Sequence, residues 1–247
     1  MLNTGTQPES GSETERKRSF LRRGVRFLSR FVSDAPYRHM LRLVWRPPHG
    51  VFQPFNDTQP DRYPAIFKFV QRQLGAESEV RILSFGCATG EEVFSLRQYF
   101  PRASIKGIDA NRGNIAVARR RLRAAPDPGL SFAYGASARP EPPAFYDAIF
   151  CMAVLRHGSL GATGACDHLI KFETFAAAIA EFHRCLKPGG LLIVRHSNFR
   201  VCDTPLSAAF RTILRVPLQG AAKTPIFGPD NVLIADADYP DAVFRRL

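Results

Sequence analysis

The sequence predicts an α/β fold, a mostly parallel, doubly wound sheet with helices on both faces. Three observations predict it. Between about residues 80 and 200, short apolar runs alternate with helical stretches. The first of these runs leads through a glycine-rich turn directly into a helix. After residue 196 the order changes, and two apolar runs flank an Asp- and Pro-rich turn at 236–241, the pattern of a closing antiparallel pair.

The elements follow in chain order. Residues 1–15, MLNTGTQPESGSETE, carry too little apolar surface to offset the entropy of ordering and are expected to form a disordered tail. Residues 16–60 form an extension in two parts. Phe20, Leu21, Val25, Leu28, Phe31 and Val32 recur at helical spacing while Arg16, Arg22, Arg23, Arg26 and Arg30 fill the other side, which predicts a basic amphipathic helix. The run WRPPHGVFQPFNDTQP, broken by four prolines and a glycine, predicts an irregular connector. The main domain is expected over 61–247. Asp61 is expected to cap a helix carrying Ile66, Phe67, Val70 and Leu74 and ended by Gly75. Strands are expected at 81–85, 104–108, 130–134, 147–152 and 191–196, helices at 91–100, 111–124 and 172–186, and a further helical stretch at 205–216.

The 247 residues, 45% of them hydrophobic, can bury the core of one catalytic-sized domain. The net charge is +12, but residues 16–46 hold ten Lys and Arg against the single acid Asp34, so nine of those charges lie there and the remainder is nearly balanced. Two expectations follow for 16–46: packing of its apolar stripe on the domain as a lid or pocket wall, or peripheral contact with an anionic membrane or an acidic partner. Five widely spaced cysteines with no C-x-x-C pair predict neither a disulfide framework nor a metal site. With no apolar run long enough to span a bilayer, the chain reads as cytoplasmic, peripheral to a membrane at most.

The turn Gly86-Cys87-Ala88-Thr89-Gly90 lies where nucleotide-type sites lie, at the carboxyl end of a central strand. Its G-x-x-x-G spacing fits neither G-x-G-x-x-G nor the phosphate loop. Glu91 and Glu92 then open the helix, where a pyrophosphate would need free N–H groups and the positive dipole end, and two carboxylates repel it. S-adenosylmethionine has a sulfonium and an ammonium and no phosphate, so the segment from Phe85 to Glu92 points to that cofactor. Asp109, 19 residues after Gly90 and followed by Ala110, ends the second strand, where an acid accepts both ribose hydroxyls. After the third strand Ala136 stands in the usual acidic place, which leaves Ser137 or backbone to serve the adenine. Cys151, Met152 and Ala153 end the fourth strand and are expected under the donor.

Four ordered blocks, ILSFGCATG, IKGIDANRGNIAVAR, FYDAIFCMAVLRHG and LKPGGLLIVRHSNF, resemble the class I S-adenosylmethionine-dependent methyltransferases over residues 80–200. The resemblance implies a Rossmann-like, doubly wound, seven-stranded sheet with the last strand antiparallel, here behind an N-terminal helical extension, and methyl transfer from S-adenosylmethionine. ATGEEVFSL, IFCMAVL and GGLLIVRHSN are similar to the chemotaxis-receptor glutamate methyltransferases (CheR-like), which implies that Glu91 or Glu92 contacts the cofactor's methionine end. Ser84 replaces the acid common in the wider class, and no receptor-docking insertion is evident, so the cofactor chemistry is carried over without the receptor substrate.

The function expected is methyl transfer to oxygen or nitrogen of a small-molecule acceptor. A CheR-like protein carboxyl methyltransferase is the alternative, and a non-catalytic, membrane-associated protein of this fold is the third reading. Displacement at an activated sulfonium needs positioning above all, and a base only where the acceptor must lose a proton. His157 is the candidate base and His196 the second choice, while the Gly-containing loop 158–171 is placed as a mobile rim. Nucleic acid is not an expected partner. The fourth strand ends in CMAV, without the signatures of base methylation, and Arg112, Arg119, Arg120, Arg121 and Arg123 read as a solvated helix face.

Overall fold

The computed structural model describes residues 29–48, 50–55, 58–161, 164–217 and 224–247. The expected tail and the first part of the basic helix, residues 16–28, lie outside them. Seven strands form one sheet: β1 (Arg81–Phe85), β2 (Ser104–Asp109), β3 (Leu130–Tyr134), β4 (Tyr146–Met152), β5 (Leu186–Arg195), β6 (Phe210–Arg215) and β7 (Asp241–Arg246). Their order is β3-β2-β1-β4-β5-β7-β6. The pairs among β1 to β5 are parallel, and β7 runs antiparallel to both β5 and β6. The strand order reverses between β1 and β4, which opens a crevice at their carboxyl ends.

The central strands read as near-continuous apolar runs because both faces are covered. Strand alternation divides their side chains. Leu83, Phe85, Ile149, Cys151 and Val194 pack toward Phe175, Ile179 and Phe182 of α5 (Phe172–Cys185). Ile82, Phe150, Met152 and Ile193 pack toward the opposite layer, formed by α2 (Pro64–Leu74), α3 (Glu91–Tyr99) and α4 (Arg112–Ala124).

The structure departs from expectation in four places. Asp61 does not cap α2. Its backbone is left-handed (φ 48°), its N–H donates to Ser95 Oγ, and its carboxylate accepts from the Tyr99 hydroxyl. The helix begins instead at Pro64, whose missing N–H is no loss in a first turn. Residues 210–215 are strand, not helix, because pairing along β7 outweighs local helical spacing. The closing partner of β7 is therefore β6, and the run near 232–234 makes only isolated bridges. The 158–171 segment buries Leu160, Cys166 and Ile170, and the Cys166 N–H donates to Asn231 O, so its described part is packed. The arginine face of α4 is only partly solvated: Arg119 donates to Phe132 O, and Arg121 lies 4.4 Å over the Phe94 ring.

Ahead of α2, α1 (Ala35–Trp45) starts on an Asp34 cap and lies against the start of α4. Asn111 Nδ2 donates to Pro36 O at 3.0 Å. A Cβ at Gly113 would stand 2.5 Å from Pro36 N and 2.6 Å from Ala35 carbonyl atoms, so only glycine allows this approach. Packing on the domain thus describes residues 35–45, although Val44 and Trp45 remain exposed beside Arg42 and Arg46. Gly113→Ala is expected to cost roughly 1–3 kcal/mol at this contact. Tryptic cleavage at Arg38 and Arg42 should accelerate on the order of tenfold as α1 opens more often, whereas unchanged cleavage would show that α1 is not held here. Among the described residues no helix is long and apolar enough to cross a membrane.

Candidate active site

The crevice between β1 and β4 is built from strained backbone. Gly86 has φ 77°, and a Cβ there would fall 2.3 Å from Val154 Cγ2, so both conformation and space require glycine. Ala88 (φ 48°) and Ala153 (φ 58°) hold left-handed conformations that cost roughly 1–3 kcal/mol each. Each is fixed by a hydrogen bond: Ala88 N–H donates to Asp109 Oδ2 at 2.9 Å, and Ala153 N–H to Arg195 O at 2.8 Å. The other Asp109 oxygen accepts from Asn111 N–H (2.8 Å) and Asn114 Nδ2 (3.0 Å). Burial raises the Asp109 pKa, and these three donors pull against it. One carboxylate therefore ties the glycine-rich turn to the start of α4.

The two glutamates of the turn part company. Glu91 points outward, where Arg121 Nη1 (2.7 Å) and Thr89 Oγ1 (2.6 Å) donate to it. Glu92 faces the crevice and accepts from Ser84 Oγ at 2.7 Å. Desolvation raises its pKa from 4.5 to about 7, with the Ser84 bond and Arg62 opposing the rise. Ser84, buried in the middle of β1, is thus the polar partner that Glu92 requires.

The cleft, open to solvent on one side, is walled by residues from β1, β2, β4 and the segment 50–63. Of the residues expected at the cofactor site, Phe85, Gly86, Cys87, Ala88, Glu92, Asp109, Ala110, Met152 and Ala153 line it. Thr89, Gly90, Glu91, Ser137 and Cys151 do not, and neither does His157, the candidate base. Cys151 and Met152 are adjacent on a strand and must face opposite sides, which sends Cys151 toward α5. Ser137 donates to Glu181 of α5 at 2.9 Å, and Gly135 and Ala136 take its place in the wall. His157 stacks edge-on to Phe55 at 6.0 Å, its Nδ1 accepts from Ser159 N–H, and burial lowers its pKa. His196 lies 5.8 Å from the Tyr63 ring.

The opposite wall, which sequence reasoning missed, is the connector with the residues just after it: Phe52, Gln53, Phe55, Arg62 and Tyr63. Its one local signal was two phenylalanines inside a proline-broken stretch, which need cover. Gln53 Oε1 and the Tyr63 hydroxyl are buried with no hydrogen-bond partner among the described residues. Burial pushes the Tyr63 hydroxyl up to about 12. A desolvated Glu92 favours a cationic ligand beside it, and Asp109 presents oxygens at a strand end; both fit S-adenosylmethionine better than a phosphate-bearing cofactor.

Residues 83–194 match the family model described as a methyltransferase domain. Trans-aconitate 2-methyltransferase of Methylobacterium nodulans is 33% identical over 117 residues, 47% of this chain and 37% of that protein. Demethylmenaquinone methyltransferase of Chlorobaculum tepidum is 30% identical over 123 residues, 50% of this chain and 43% of that one. A solved structure of phosphoethanolamine N-methyltransferase 2 from Haemonchus contortus with S-adenosyl-L-methionine aligns with a TM-score of 0.43 at 20% identity, covering 56% of this chain and 29% of the other. The chain thus spans about two fifths of the length of these two curated relatives. The match marks residues 83–194, a little under half of the chain, as a methyltransferase domain, of the kind whose cofactor is S-adenosylmethionine.

Proposed function

We propose that the protein transfers a methyl group from S-adenosylmethionine to a small-molecule acceptor seated against the wall formed by residues 50–63. The observation that carries this reading is the cleft in which the β1 and β4 ends face that wall. The cofactor supplies an electrophilic methyl on a sulfonium. On the donor side Asp109 would take the ribose hydroxyls, Glu92 the ammonium of the methionine end, and the Gly86–Ala88 backbone the close approach that bulkier residues would block. On the acceptor side Phe52, Phe55 and Tyr63 exclude water, and alignment of the acceptor is the chain's main contribution to rate. The curated relatives named above are called after small molecules, trans-aconitate and demethylmenaquinone, which supports the same class of acceptor.

Isothermal titration should show S-adenosylhomocysteine binding in the micromolar range. Tritium from labelled S-adenosylmethionine should enter low-mass products of a fractionated extract. Folded protein that binds no S-adenosylhomocysteine would remove the cofactor reading. Base-labile label found only in protein would favour carboxyl methylation of a macromolecule instead.

A further inference from the structure

Beyond the donor cleft lies a second cavity, open to solvent. Gln53, Phe55, Arg62 and Ala153 wall both, so the two are adjacent. The described lining of the outer cavity contains two guanidinium groups, Arg62 and Arg156, and no carboxylate. Arg156 follows the end of β4, its Nε is buried, and that atom has no hydrogen-bond partner among the described residues. Gln53 Oε1, between the cavities, and the Tyr63 hydroxyl, in the inner one, are in the same condition. A buried polar group left unsatisfied costs roughly 1–3 kcal/mol, and three such groups on residues lining these two adjacent spaces call for a ligand.

The charges around these spaces are lopsided. Arg62, Arg156 and Arg195 all act on the Tyr63 hydroxyl, against the single carboxylate of Glu92, which already accepts from Ser84. Arg195 is committed to the carbonyls of Pro217 and Pro240. Arg62 reaches the donor side, where it acts on Glu92, and its guanidinium lies 5.4 Å over the Tyr63 ring. Arg156 lines the outer cavity and not the donor cleft. Alongside it, Phe55 offers an apolar face that is 40% exposed. A planar guanidinium fork matches carboxylate and phosphate oxygens.

We propose that the methyl acceptor is an organic anion, an apolar body ending in a carboxylate or phosphate head, and that Arg156 holds the head in the outer cavity while Phe55 covers the body. This rests on the small-molecule reading above. Arg156 is then a specificity-determining residue outside the cofactor's contacts.

The test fractionates the low-mass part of an extract on anion-exchange resin at pH 7 before adding enzyme and labelled S-adenosylmethionine. The acceptor is expected in the retained fraction. Phosphatase treatment of that fraction should abolish labelling if the head is a phosphate and leave it intact if the head is a carboxylate. At subsaturating acceptor, Arg156→Gln should reduce labelling on the order of tenfold, Arg156→Lys should recover part of it, and both variants should bind S-adenosylhomocysteine within about twofold of wild type. Labelling from the unretained fraction would overturn the inference alone. So would a tenfold loss of S-adenosylhomocysteine affinity in Arg156→Gln, which would assign the guanidinium to the cofactor. No low-mass label in any fraction, from protein that binds S-adenosylhomocysteine, would overturn the small-molecule reading and this inference with it.

Discussion

Replacing Asp109 with alanine is expected to remove S-adenosylhomocysteine binding and to lower thermal stability in the same variant. The carboxylate accepts from Ala88 N–H, Asn111 N–H and Asn114 Nδ2, so alanine leaves three donors without their partner. Hydrogen bonds to a charged group contribute about 1.5–3 kcal/mol each. Relief of the buried charge and entry of water offset part of that, leaving a net loss of roughly 3 kcal/mol. The loss has a second consequence. Ala88 stays at φ 48° because its N–H is held by Asp109, so without the carboxylate the turn relaxes and Gly86 no longer presents its backbone to the cleft. Loss of the ribose contact and loss of the turn should together weaken S-adenosylhomocysteine by at least about 100-fold, or 2.7 kcal/mol. Asp109→Asn keeps the shape but turns one oxygen into an amide that meets another donor, so it should recover part of the stability and little of the binding. Titration calorimetry and thermal denaturation on the two variants separate these effects. Wild-type affinity in Asp109→Ala would mean that β2 does not hold the donor.

The parts of the site legible in the sequence are those fixed by neighbours along the chain. The strand–turn–helix of residues 81–99 can be read because a short, mostly apolar run, two glycines and two opening glutamates stand next to one another. Asp109 can be read because a strand end places it. What escaped was set by distant partners. Ser137 reads as a cofactor contact until Glu181, 44 residues on, takes its hydroxyl. Residues 210–215 read as helix until β7 supplies an edge to pair with. The wall opposite β1 and β4 escaped for the same reason. Tyr63, Gln53 and Arg156 lie in segments without periodicity, and only the fold shows that they border two adjacent spaces. Ser84 illustrates the middle case, since a serine replacing an expected acid is visible in the sequence, while its role as the donor to Glu92 is not.

Glu92 is expected to destabilise the free protein and to tighten cofactor binding, and the two effects separate with pH. Its pKa rises from 4.5 to about 7 on folding, chiefly through desolvation. Between those values the folded state holds more protons than the unfolded state, so stability falls as pH rises through that window and levels off above it. The penalty from this group at pH 8 is roughly 3 kcal/mol, from a shift of about two and a half units at 1.36 kcal/mol each. Glu92→Gln, which still accepts from Ser84, should therefore raise the stability of the free protein by up to that amount at pH 8 and leave it unchanged near pH 4. Binding works in the opposite direction. A ligand ammonium beside the carboxylate favours its ionised form. Wild-type protein at pH 6 should then release a proton on taking up S-adenosylhomocysteine, and the release should vanish by pH 8. Calorimetry at pH 6 in two buffers of different ionisation enthalpy reads it as a difference in apparent heat. Glu92→Gln should show no such difference and weaker binding at pH 8 despite its greater stability. A variant that is no more stable than wild type at pH 8 would show that the carboxylate is solvated in the free protein. An unchanged proton release in Glu92→Gln would place the titrating group elsewhere in the cleft.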